Sequence, residues 1–99
     1  MNKHDVLGLA AIVSRSVGER RSPILFACRD VSVRPEDSGW QFWGHPDVED
    51  ESKPQVWRLD EVLALEPTLA PYLNALPGIF IQRSSARAPW HISELPPEK

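Results

Sequence analysis

Hydrophobic and polar positions change their spacing several times along the chain, and each change marks an element. Residues 6–17 are rich in Ala, Leu, Val and Ile, and Ala11-Ile12-Val13-Ser14-Arg15-Ser16-Val17 alternates apolar with polar. Ala and Leu favour a helix and the alternation favours a strand; the reading adopted is a strand ending near Val17. Gly18-Glu19-Arg20-Arg21-Ser22-Pro23 is a polar turn, and residues 24–33 read as a second strand that closes a hairpin with the first. Period two puts Ile24, Phe26 and Cys28 on one face of that strand and Leu25, Ala27 and Arg29 on the other. Both faces are largely apolar at its start, which predicts a central strand.

A polar loop over residues 35–39 leads into a short aromatic third strand at 40–44. A proline- and acid-rich stretch, 45–54, then reads as a solvated loop. Val56-Trp57-Arg58-Leu59 leads into Asp60, the expected N-cap of a helix running to Leu65 and broken by Glu66-Pro67. Thr68 is the expected cap of a second helix, with Leu69, Tyr72, Leu73 and Leu76 at i, i+3, i+4 and i+7 forming its buried stripe. Pro77-Gly78 stops it. Residues 79–83 are β-branched and aromatic, as expected of a core strand, and 90–92 predict a short edge strand. The pattern as a whole predicts a small α+β fold: a mainly antiparallel sheet with two short helices packed on one face.

Composition sharpens this picture in three ways. Ninety-nine residues with 41% hydrophobic and 25% charged positions suit one folded domain, with residues 1–5 and 96–99 frayed. A net charge of −3 is not the basic footprint of a nucleic-acid binder. The charge is uneven, however: residues 35–66 hold nine acids against two bases. Cys28 is the only cysteine, so an intrachain disulfide is excluded and a reducing, cytoplasmic setting is expected. No run approaches the roughly 18 apolar residues of a membrane span, and the N-terminus does not read as a signal peptide.

The candidate chemistry is sparse. Asp47, Glu49, Asp50 and Glu51 lack the spaced ligands and glycine of a calcium loop, and read as a solvated segment or a surface for a basic partner. His4, His45 and His91 have no metal-ligand spacing, so neither metal nor cofactor is predicted. Cys28 reads as a small buried hydrophobe, and a Cys28/His45 nucleophile pair is the minor alternative. Ser38 lacks the flanking glycines of a nucleophile elbow. Asp37 and Ser38 suit a turn, Gly39 a positive φ, and Trp40 and Phe42 share one strand face as core anchors. Trp43 points the opposite way. It is buried if a helix covers that face and exposed, as a binding residue, if none does.

Pro35-Glu36-Asp37-Ser38-Gly39-Trp40-Gln41-Phe42 resembles the core of a bacterial family first catalogued as a domain of unknown function and later assigned, mainly from genomic context, as immunity protein family thirty-three of polymorphic toxin systems. The likeness extends over residues 10–83. Val13-Ser14-Arg15 and the strand ending at Arg29 resemble the family's opening hairpin, and the acidic loop, the leucine-rich region with Pro67, and Pro77-Gly78 followed by Arg83 occupy corresponding places. In this chain Gly44-His45-Pro46 precedes Asp47, where family members often place acids directly after the glycine. The resemblance implies binding without catalysis: an immunity protein that occludes a cognate toxin, with no nucleic-acid or membrane partner. Trp43, Asp47, Glu49, Asp50 and Glu51 are the expected contact residues. An interaction module with another partner is the alternative from a different class, and a small hydrolase using Cys28 and histidine is a third.

Overall fold

In the computed structural model, which describes residues 6–44 and 53–94, a six-stranded mixed sheet carries all its described helical segments on one face. A 3₁₀ turn, Val6–Gly8, precedes β1 (Ala10–Val13) and the one-turn helix α1 (Arg15–Gly18). Then come β2 (Phe26–Arg29), β3 (Asp37–Trp43), β4 (Gln55–Arg58), α2 (Leu59–Leu65), a 3₁₀ segment at Pro67–Tyr72, β5 (Ile79–Gln82) and β6 (His91–Glu94). The spatial order is β4-β1-β3-β2-β5-β6. Only the β1/β3 pair is parallel, so the sheet is mainly antiparallel and the fold is α+β.

The expected hairpin between the first two strands does not form. Ser14 ends β1 instead, because its hydroxyl accepts from the Val17 amide and caps α1, while its own N–H donates to Phe42 O at 3.0 Å. The turn of helix carries the chain away from the β1 edge. With β2 no longer adjacent, β1 pairs with β3 on one side and β4 on the other. β2 lies between β3 and β5 and is the interior strand its doubly apolar start predicted.

Trp40 and Phe42 anchor the core from β3. Both are fully buried, their rings stack 5.6 Å apart, and Trp40 Nε1 donates to Leu73 O at 3.1 Å. Leu59 and Val62 of α2, Leu69 of the 3₁₀ segment, Leu73 and Val17 complete the cover. The residue capping α2 is Arg58, not Asp60: Arg58 N–H donates to Glu61 Oε1, and Leu59 N–H reaches Leu9 O, so β4 runs directly into the helix. The second predicted helix is a 3₁₀ segment, because Pro71 has no N–H with which to continue an α-helical ladder. Its stripe is correspondingly short, and Leu76 lies beyond it, 81% exposed.

Arg83, just past β5, is 4% exposed and fully engaged. Its Nε donates to Ile24 O, its terminal nitrogens reach Glu66 Oε1 at 2.8 Å and Ala86 O at 3.0 Å, and its guanidinium lies 4.4 Å from the Trp90 ring centre. The Thr68 hydroxyl donates to Glu66 and accepts from Trp90 Nε1, closing the network. Burial alone raises the Glu66 pKa, but hydrogen bonds from Arg83 and Thr68, together with the guanidinium charge, outweigh it and leave the group below its ordinary value.

Trp40→Ala should destabilise the protein by about 3–5 kcal/mol, measured as a shift in denaturation midpoint; an unchanged midpoint contradicts its role as anchor. A second expectation follows from the lowered Glu66 pKa. The stability this carboxylate contributes is complete above its unfolded-state pKa and is lost as pH falls through the folded value. Glu66→Gln should therefore be less stable than wild type at neutral pH and show a shallower loss of stability on acidification, read from urea denaturation across that range.

Candidate functional site

The Asp37-Ser38-Gly39-Trp40 segment shapes the start of β3. Asp37 Oδ1 accepts from the Gly39 N–H at 2.9 Å, and Ser38 Oγ accepts from the Trp40 N–H at 3.1 Å. The register against β1 jumps here, with Ala10 opposite Asp37 and Ile12 opposite Gln41, so β3 bulges by two residues. Gly39 adopts φ +85°, and a Cβ there would lie 2.0 Å from Asp30 O. Any other residue would thus meet both a strained backbone and a collision with β2's continuation. Arg29 steadies the bulge by donating from Nε to Ser38 O and from a terminal nitrogen to Ala75 O.

The same strand has a second face. Strand registers place Val56, Ile12, Gln41, Cys28 and Phe80 in one row across five strands, and Trp43, Phe26 and Gln82 in the next. Phe26 and Phe80 stack with ring centres 6.4 Å apart. Ile12, Phe26, Trp43, Val56 and Phe80 do not pack on the core cluster, which collects the apolar side chains of the helical layer on the opposite face. Trp43 is partly exposed and Val56 69% exposed. Among the described residues, then, the sheet presents one face of aromatic and aliphatic side chains that its own helices do not cover.

Of the residues marked out in the sequence, Trp43 lies on this open face, Trp40 and Phe42 on the covered one, and Asp37, Ser38 and Gly39 in the bulge between them. Asp47, Glu49, Asp50 and Glu51 lie outside the described residues, as do His4 and His45. His91 is exposed at the start of β6. Cys28 sits on the open face, nearly buried; burial and the neighbouring Asp30 carboxylate push its thiol pKa up to about 11. A thiol so protonated at neutral pH is a poor nucleophile. Two clefts, of about 280 and about 680 Å³, open on either side of Arg20, and neither is lined by Cys28 or a histidine. No group of three potential metal ligands occurs among the described residues. Nothing in the sequence distinguishes Phe26 and Phe80 as contact residues, because apolar strand positions look alike whichever face is covered.

A small α+β sheet with one layer of helices and one bare aromatic face is a scaffold with room for a second protein. Residues 11–93 match the family model of the Immunity protein Imm33 domain, and the chain belongs to that family. No curated protein and no solved structure gives a significant match. Membership supports an immunity role in general, with a toxin as the general class of partner. Among the described residues, no helix is long and apolar enough to cross a membrane.

The protonated Cys28 thiol should react slowly with iodoacetamide at neutral pH in the native protein and far faster once it is unfolded, as followed by mass spectrometry. Cys28→Ala should leave the folded protein's biological activity intact. Rapid native labelling, or loss of activity in a folded variant, contradicts a purely structural cysteine.

Proposed function

We propose that this protein is a cytoplasmic immunity protein that neutralises a cognate toxin by binding and occluding it, without catalysis. The observation that carries the proposal is the uncovered sheet face bearing Trp43, Phe26 and Phe80 in a member of an immunity family. An apolar aromatic centre of this kind supplies the buried anchors on which protein interfaces depend. The protonation of Cys28 favours binding over a thiol mechanism. The lone unpaired cysteine suits the cytoplasm, where an immunity protein can intercept its toxin. The acids Asp47, Glu49, Asp50 and Glu51 add to the negative charge of residues 35–66 and would hasten the approach of a basic toxin.

Co-expression with the toxin encoded beside its gene should preserve growth, and the purified pair should form a stable complex. Trp43→Ala should weaken that complex by about thirtyfold, in the range of a hot-spot residue, without lowering the melting temperature appreciably. Changing Asp47, Glu49, Asp50 and Glu51 together to Asn or Gln should slow association and flatten its salt dependence. If growth protection and affinity survive both sets of changes, the contact lies elsewhere on the protein.

A further inference from the structure

We propose that the open sheet face takes a protein partner whose contact patch is apolar at its centre and basic at one border, the basic side chains meeting Asp30 and Asp37. The inference rests on the binding function proposed above and specifies the chemistry of the partner. At one end of the face the side chains are Trp43, Phe26 and Phe80; at the other, Asp30 and Asp37 flank Gly39. Asp30 N–H donates to Gly39 O at 2.9 Å, and the side chain of Asp37 accepts the Gly39 N–H, so the two acids stand on either side of a residue with no side chain.

Among the described residues most other acids are ion-paired, and Glu61, which accepts the Arg58 N–H and has no ion pair, lies on α2 rather than on the sheet face. Glu19 is paired with Arg15 and Arg21, Glu36 with Arg34, Asp60 with Arg58, and Glu66 with Arg83. Asp30 accepts from the neutral Gln41 amide at 2.9 Å and Asp37 from a backbone amide; neither has an ion-pair partner among the described residues. Arg58 shares a row with Asp37 across β1, yet it turns its guanidinium to Asp60 at 2.8 Å. Two of the unmatched negative charges among the described residues therefore fall at the border of the apolar face that the helices leave open. Burial of the aromatic centre would supply affinity, and the unmatched acids would supply orientation and association rate.

A second copy of this chain fits the face less well. Its own open face would bring two more carboxylates, and Arg58, the cation that shares their row, is already engaged by Asp60. A nucleic acid or an anionic membrane would repel the same acids. The occupant that satisfies both ends is a protein surface pairing an apolar patch with lysine or arginine.

The test uses the toxin domain encoded beside the gene, made inactive by mutation, as the binding probe. Asp30→Asn with Asp37→Asn removes both charges while keeping oxygen acceptors for Gln41 and Gly39. Its association rate should fall about tenfold at low salt and lose most of its salt dependence. Glu19→Gln with Glu61→Gln makes the same change in net charge elsewhere, leaves the Arg58–Asp60 pair intact, and should leave the rate within about twofold of wild type. Phe80→Ser should raise the dissociation rate at least tenfold with little change in association. Equal melting temperatures for the two charge variants and wild type exclude unfolding as the cause. If wild type binds the domain and the Asp30/Asp37 variant binds it equally fast with equal salt dependence, this proposal is overturned and the immunity function stands. Sedimentation showing that wild type self-associates through Phe80 overturns it too. If wild type does not bind the domain, the immunity function fails and this proposal fails with it.

Discussion

The attachment of the helical layer to a single face of the sheet governs the rest of the structure, and Trp40 is its central contact. Its indole is fully buried, stacks on Phe42 and donates to Leu73 O, so one side chain from the middle of β3 ties the sheet to the segment that follows the 3₁₀ turn. The bulge before it is what aims the indole inward. Asp37 and Ser38 bind the Gly39 and Trp40 amides, and Gly39 closes against Asp30 where no side chain fits. A network around Arg83 performs the corresponding task at the far side of the sheet, joining Ile24 ahead of β2 to Glu66 behind α2 and to Trp90 ahead of β6. The guanidinium is out of water, and its four partners, Ile24, Glu66, Ala86 and Trp90, offset its desolvation.

Among the described residues, α1, α2 and two 3₁₀ segments supply the helical cover for one side of six strands. The other side keeps Ile12, Phe26, Trp43, Val56 and Phe80 without helical cover. Large exposed apolar patches on protein surfaces commonly mark interaction sites. Membership in an immunity family is why this face is proposed as the contact for a toxin. The position of Cys28 agrees with this division of labour. It lies between Gln41 and Phe80 in the row, and its thiol is kept protonated by burial and by Asp30.

Much of the fold was legible along the chain. The α+β class, the interior place of the strand around Ala27, the inward pair Trp40 and Phe42, the helix ending before Pro67 and the last edge strand all follow from spacing, β-propensity and proline placement. The errors cluster where one residue decides between two local structures. Ser14 converts an alternating run into a helical turn by capping it, Glu61 moves the helix start from Asp60 to Arg58, and Pro71 shortens the second helix enough to leave Leu76 in water. The V-S-R and Arg83 positions that carry the family likeness prove to be a cap and a buried clamp.

The sequence by itself determined most of the strands, the helix that ends before Pro67, and the alternation that sends Trp40 and Trp43 to opposite faces, since each depends on neighbours a few residues apart. Only the tertiary structure decided that β1 lies beside β3 and β4, that Arg83 answers Glu66, and which face the helices leave open. Those outcomes rest on contacts between segments far apart in the chain, such as Arg83 with Ile24 and Trp40 with Leu73, and a local pattern of apolar and polar positions contains no information about them. Asp30 and Asp37 illustrate the difference: as acids they are visible in the sequence, but that they stand beside an aromatic face with no counter-charge among the described residues is a property of the folded surface alone.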